Sequence, residues 1–402
     1  MSTRSSVRWL RTCDPAGNFP SMTLVDRVTT RFTEVVGAEP LGVWSAPGQL
    51  TIIGDHTDYN AGLSLVIATD HSVVVAVGVR DDGRVRVVSP FGDATTVELT
   101  RCVPGSVSGW AAVPLGVLWA LGGSRSGASG LDIVIDSDIP AGPDFGISSA
   151  IASAVAVAVN DLWEIDLGRM ELVHACQRAE HDMVGTPTTM VDTATAMFGE
   201  TDSAVLVDCQ LAEASVVPFA IADAGLALLV IVSDGHRSPG GAANQDRRTS
   251  CQRAAGSLGV ETLRDLAVND LQRVRETQDE ETYRRVRHVV TENARVVAVA
   301  ELLLSDGPRA IGDFLVASYL SMRNDFDVHN SHSTRSIRSA QRAGALGARM
   351  TGGGLGGVVI ALVPTELLSF VERKVRQTFT DEQLGEPELF VVTPSRGAHR
   401  VY

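Results

Sequence analysis

Ser45-Ala46-Pro47-Gly48-Gln49-Leu50-Thr51-Ile52-Ile53-Gly54-Asp55-His56-Thr57-Asp58-Tyr59-Asn60 is the stretch around which the chain is organised. An apolar strand, Leu50 to Ile53, runs into Gly54, and four polar residues follow at once: Asp55, His56, Thr57 and Asp58. A loop this dense in donors and acceptors suits a ligand covered in hydroxyls.

Around it lies an acidic chain of 402 residues with a formal net charge of −14. That length suggests two domains or one large one. Apolar residues make up 44%, enough for sizeable cores. The acidic balance argues against a nucleic-acid or anionic-membrane partner. Five cysteines (Cys13, Cys102, Cys176, Cys209, Cys251) lie far apart without a CxxC pair. They read as reduced thiols of a cytoplasmic protein, neither a disulfide framework nor a zinc site. Residues 1–20 read as a loose leader without the apolar stretch of a secretory signal.

Strands and helices interleave, which indicates a mixed α and β chain. Helices are expected over Met22 to Val36, Gly109 to Leu121, Ile147 to Asn160, Glu171 to Val184, Gln245 to Ala255, Arg284 to Leu303 and Leu367 to Phe379. Val73 to Arg80 and Gly83 to Val88 read as paired strands about an Asp81-Asp82-Gly83 turn. Further strands are expected at Leu131 to Ile135, Ala204 to Asp208, Leu226 to Ser233, Val358 to Val363 and Leu389 to Val392. The domain boundary is expected near residue 215, giving domains 21–215 and 216–402.

Ile139-Pro140-Ala141-Gly142-Pro143-Asp144-Phe145-Gly146-Ile147-Ser148-Ser149-Ala150 joins a turn to a helix. Glycines let backbone N–H groups approach a phosphate, and a helix N-terminus adds its positive end. Ser148 and Ser149 offer hydroxyls to phosphate or Mg²⁺. Without other matches, such a stretch is a turn and a helix cap.

Three stretches together resemble the galactokinase branch of the GHMP small-molecule kinases. The opening loop resembles Gly-Arg-Val-Asn-Leu-Ile-Gly-Glu-His-Thr-Asp-Tyr-Asn. The phosphate loop resembles Pro-x-Gly-x-Gly-Leu-Ser-Ser-Ser-Ala, with one residue more. Thr351 to Gly357 resembles Thr-Gly-Ala-Gly-Phe-Gly-Gly. Ala345 to Met350 and Arg287 to Asn293 match as well. The resemblance implies an α+β, two-domain GHMP kinase fold with the active site in the cleft. It implies transfer of the ATP γ-phosphoryl group, with Mg²⁺, to a cyclic polyol.

Residue by residue, the resemblance makes Asp192 the base and puts Gln49 where the family has a catalytic arginine. Asp55, His56 and Asp58 would bind acceptor hydroxyls. Gly142, Gly146, Ile147, Ser148 and Ser149 would hold ATP, with Ser148 on the metal. Asp144 stands about where a loop glycine is expected, either as a magnesium-side carboxylate or as a helix cap. Asp55 replaces a glutamate, Thr188-Thr189 replaces Cys-Gly, and Asn244 replaces a tyrosine. Asp55, Thr189 and Asn244 are expected to reshape the acceptor pocket, Thr189 by adding bulk. These departures favour a modified sugar or a cyclitol over galactose. The alternatives are a plain galactokinase and a non-catalytic sugar and nucleotide sensor. A monomer is expected.

Overall fold

The apolar run before the polar loop is the end of a long strand, β1 (Gly42–Ile53), buried along nearly its whole length. Beyond the loop the chain returns as β2 (Leu63–Arg80), antiparallel to β1, with Leu50 opposite Ile67. The computed structural model describes residues 22–122, 128–140, 142–185, 188–233, 241–352 and 357–402. The expected leader, 1–20, lies outside the described residues.

The other strands are β3 (Arg84–Ser89), β4 (Gly92–Glu98), β5 (Gly130–Ser137), β6 (Ser203–Asp208), β7 (Glu213–Pro218), β8 (Leu226–Val232), β9 (Gly347–Met350), β10 (Val358–Pro364), β11 (Glu388–Val392) and β12 (His399–Arg400). The helices in the first part of the chain are α1 (Leu24–Val36), α2 (Ala112–Ala120), α3 (Ile147–Leu162), α4 (Arg169–Arg178) and α5 (Val191–Phe198). Those in the second are α6 (Gly241–Leu258), α7 (Leu271–Thr277), α8 (Glu280–Ser305), α9 (Gly312–Asp325), α10 (Ser331–Arg342) and α11 (Leu368–Asp381).

The first sheet runs β12-β1-β2-β5-β3-β4, with β6 on the near end of β2 and β7 outside β6. The expected hairpin of Val73 to Arg80 with Gly83 to Val88 does not form. β5 inserts between those strands, antiparallel to β2 (Val75 opposite Ile135) and parallel to β3 (Val87 opposite Ile133). The run Leu131 to Ile135 is apolar on both faces, apart from Asp132, and gains most from a central place.

On one side the sheet packs against α3, whose Ala150, Ala154 and Ala158 are fully buried at a four-residue spacing. Small side chains there let the helix lie close to β1 and β2. On the other side α1 covers Val43, Val74 and Val134 with Val28 and Phe32. Thr23 caps α1 by accepting from the Asp26 N–H, while Asp26 reaches back to Thr23, a reciprocal capping box.

The second sheet is β11-β8-β10-β9, antiparallel throughout. Its core joins Leu229, Ile231, Val359 and Ala361 to apolar residues of α6 and of α8 to α11. Residue 215, where the sequence suggests a boundary, falls inside β7. The final strand β12 also lies on the first sheet, pairing with Trp44 and Ser45 of β1. Each lobe thus has its own sheet, and the chain crosses between them more than once. Among the described residues no helix is long and apolar enough to cross a membrane. Cys102, Cys176, Cys209 and Cys251 are free thiols.

Candidate active site

The polar loop after β1 is held from beneath by the second lobe. Arg349, in β9 and fully buried, donates to the Ile52 carbonyl at 2.9 Å and pairs with the Asp55 carboxylate. Glu292 of α8 accepts the Gly54 N–H at 3.1 Å, and Asn293 Oδ1 accepts the Leu63 N–H at 2.8 Å. The His288 ring contacts the Asp55 carbonyl at 3.2 Å. Thr351 donates to the Thr51 carbonyl. Within the loop Thr57 donates to the carbonyls of Gly54 and Leu63, both at 2.7 Å. A segment so heavily over-determined can hold a strained residue. That residue is His56, whose φ is +64°.

A cavity of about 230 Å³ opens over this loop, between the lobes. Gln49, Asp55, His56, Asp58 and Tyr59 line it from the first lobe, with Asp144 and Asp192 beside them. Arg248 of α6 and Gly352 face them from the second. His56 leans on Phe326, its centroid 4.8 Å away, and its Nδ1 contacts the Tyr59 hydroxyl at 3.1 Å. Burial, with His288 and nearby arginines, pushes His56 well below the usual histidine range. This favours the neutral ring, and its buried Nε2 has no partner among the described residues.

Asp192 sits in the first turn of α5. Its Oδ1 accepts from Gln49 Nε2 at 2.9 Å. Burial, reinforced by Glu180, Asp58 and Asp144, pushes its carboxyl up to about 7. Gly146 makes room for Gln49: its φ is +66°, and a Cβ there would meet Gln49 Cγ at 2.6 Å.

The phosphate loop departs from expectation in its carboxylates. The N-terminus of α3 has Gly146 at its cap and no side-chain cap bond, so Asp144 is not the cap. Asp144 turns toward the cavity, only 8% exposed and packed against Gly352, a position with φ +68° where a Cβ would strike its carboxylate. Its Oδ2 has no partner among the described residues, and burial pushes the carboxyl up to about 7. Ser148 instead donates to Glu180 Oε1 at 2.9 Å, with Ser149 at 3.4 Å from the same oxygen. Glu180 lies in a π-helical turn, Ala179–Val184, that ends the expected helix Glu171 to Val184. It is 2% exposed, and its Oε2 has no partner among the described residues. No local pattern in the sequence around Glu180 singles it out for this place.

Thr189 does not crowd the cavity as expected. Its hydroxyl donates to Asp58 Oδ2 at 2.8 Å, and it is not among the cavity-lining residues. Asn244 lies in α6, but its side chain is outside the described residues. Ile147, Ser148 and Ser149 lie in the first turn of α3 and Gly142 in the loop before it, and none of them is among the residues lining this cavity. Residues 353–356 of the glycine-rich turn are likewise outside the described residues.

Comparison with known proteins decides the family. Residues 30–79 match the galactokinase galactose-binding signature, 113–200 the GHMP kinase N-terminal domain and 299–381 the GHMP kinase C-terminal domain. A galactokinase of Streptomyces coelicolor is 40% identical over 93% of this chain and 98% of its own. The chain belongs to the galactokinase family. One galactokinase of Mycobacterium tuberculosis is 37% identical over 88% of this chain and 98% of its own. The crystal structure of Lactococcus lactis galactokinase complexed with galactose aligns with a TM-score of 0.87 and 25% identity. It covers 94% of this chain and 100% of that one. Methanococcus jannaschii mevalonate kinase shares the fold at a TM-score of 0.63 and 14% identity, over 88% of this chain and 98% of that one.

This member of the galactokinase family is an ATP-dependent sugar kinase with the two-lobed GHMP fold. Its relatives give no support to the expected preference for a cyclitol. They favour the plain galactokinase reading over it, and the kinase over the sensor.

Proposed function

We propose that this kinase phosphorylates a hexose of the galactose type, with Asp192 as the base. The observation that carries this reading is a buried carboxylate with a raised pKa, facing a cavity lined by His56 and Asp58. The acceptor hydroxyl gives its proton to Asp192 as its oxygen bonds to the γ-phosphorus, and the bond from that phosphorus to ADP breaks. With its pKa near 7, Asp192 is poised to take up a proton at neutral pH. Gln49 orients the carboxylate and adds no charge, so the base stays stronger than it would beside an arginine. The Nε2 of His56, without a partner among the described residues, and the cavity-lining carboxylate of Asp58 suit sugar hydroxyls.

The Mg²⁺ that such kinases use fits Ser148 and Glu180. Their oxygens are 2.9 Å apart, and one Glu180 oxygen is buried without a partner. A single carboxylate and a hydroxyl, completed by phosphate and water oxygens, suit this hard ion. Bound there, Mg²⁺ would offset charge on the β- and γ-phosphates. Asp144 is thereby released from the metal role that the sequence suggested. The N–H groups at the start of α3, Ile147 to Ser149, face the phosphate side.

The test is incubation of the purified protein with Mg-ATP and galactose, read by mass spectrometry for a hexose monophosphate. The expected result is product from wild-type protein and at least about a hundredfold less from Asp192→Asn. A protein that hydrolyses or binds ATP but phosphorylates no hexose overturns the reading.

A further inference from the structure

The cavity holds more carboxyl groups than a neutral hexose calls for. Asp58, Asp144 and Asp192 line it, and Asp55 does so while paired with Arg349 from below. Among the described lining residues the cation is Arg248, stacked 4.6 Å from the centre of the Tyr59 ring. Asp58 is engaged by Thr189 and Asp192 by Gln49. Among the described residues Asp144 has no such partner for Oδ2, and the residue is more than nine-tenths buried.

Gln49 adds a second unmatched acceptor to the same space. Its Nε2 is spent on Asp192, and its Oε1 is buried without a partner among the described residues. Asp144 and Gln49 thus line one cavity, and each has a buried oxygen that lacks a donor among the described residues. A sugar hydroxyl has one hydrogen to give, whereas an ammonium group has three and accepts none. Left unpaired, Asp144 is pushed by burial toward its neutral form, and once ionised in the phosphate loop it would repel an incoming γ-phosphate. A cation between Asp144 and the acceptor side relieves both problems.

We propose that the preferred acceptor is an aminohexose, its ammonium group held by Asp144 Oδ2 and Gln49 Oε1. This rests on the sugar-kinase reading above and narrows its acceptor from a neutral to a cationic hexose. The ammonium also brings to the reacting centre a positive charge that Gln49 lacks. Magnesium does not answer the same need, because its donors on this chain, Ser148 and Glu180, are bonded to each other and not to Asp144.

The experiment compares galactosamine and 6-amino-6-deoxygalactose with galactose and N-acetylgalactosamine, all with Mg-ATP. One amine is expected to exceed galactose in kcat/KM by about tenfold or more, the worth of a charge-assisted hydrogen bond. N-acetylation of that amine removes the advantage. In Asp144→Asn the amine-to-galactose ratio falls to about one, and Asp144→Gly, checked for native circular dichroism, repeats this.

Galactose phosphorylated as well as or better than both amines overturns the inference and leaves the hexose kinase. An unchanged ratio in Asp144→Asn, with a raised Mg²⁺ requirement, makes Asp144 a metal ligand and also overturns it. If no sugar is phosphorylated, the parent reading fails, and calorimetry decides the amine site separately. Tighter binding of an amine than of galactose, lost in Asp144→Asn, supports it, and equal binding overturns it.

Discussion

Gln49 Nε2 lies 2.9 Å from Asp192 Oδ1 and makes the side-chain hydrogen bond that this carboxylate receives among the described residues. A neutral donor orients Asp192 without pulling its pKa down. Burial, Glu180, Asp58 and Asp144 all act in the other direction. With the raised value near 7, kcat/KM is expected to rise with pH through about pH 7, as Asp192 loses its proton. Gln49→Arg places a cation beside it and should move that limb to lower pH, with a higher plateau. A pH–rate profile of both proteins checks this, and an unmoved limb removes Asp192 as the titrating group.

Asp192→Asn keeps the shape of the side chain and its bond to Gln49 after an amide flip, but cannot accept a proton. Turnover should fall by about 10²–10⁴-fold, the usual worth of a general base. Acceptor binding, read by calorimetry, should change little.

Glu180 and Asp144 should separate in a magnesium titration. Glu180→Gln is expected to raise the Mg²⁺ concentration for half-maximal activity by about tenfold, since it weakens one of two protein donors. Asp144→Asn should leave that midpoint in place. The reverse pattern would return the metal to Asp144.

Asp144 should also mark the pH dependence of stability. Its folded carboxyl is pushed up to about 7, while an unfolded aspartate titrates near 3.9. Between these values the folded chain binds more protons than the unfolded one. Stability contributed by this group is therefore complete below about pH 4 and is lost as pH climbs to about 7. Asn does not titrate, so Asp144→Asn should gain melting temperature relative to wild type as pH rises. The gain at pH 8 should exceed that at pH 5. A gap of constant size at both pH values would mean that Asp144 is not held protonated.

Arg349→Met conserves bulk and removes the charge under the sugar loop. Asp55 is then left buried without its cation, and the Ile52 carbonyl without its donor. Breaking a buried pair from one side costs about 3–5 kcal/mol, readable in a denaturant melt. The loop should loosen with it, raising KM for the acceptor more than KM for ATP.

Much of the site could be read before any coordinates, because its residues sit in ordered local motifs. Gln49, Asp55, His56, Asp58, Asp144 and Asp192 all line one cavity. What escaped were relations across the chain. Glu180 meets Ser148 through a π-helical turn that no apolar periodicity announces. Arg349, Glu292 and His288 reach the polar loop from far downstream; their stretches matched the family, yet nothing local says what they touch. Thr189 shows the opposite limit. Its bulk was legible, but the direction of its hydroxyl, onto Asp58, depends on tertiary packing. The hairpin expected at Asp81-Asp82-Gly83 failed for a similar reason. Turn chemistry specifies a reversal, and a distant apolar strand, β5, competes for the same edge.

The strand His399–Arg400 has a consequence for how the protein is made. It covers β1 at Trp44 and Ser45, with Arg400 over the Trp44 ring and Val401 donating to the Val43 carbonyl at 2.7 Å. On a ribosome β1 emerges long before these residues do. Until they arrive, part of the first sheet presents an open edge beside a large aromatic, the kind of surface that recruits other strands. The first lobe is therefore begun early in synthesis and closed late. Chains that stall after β11 should be the ones that chaperones retain.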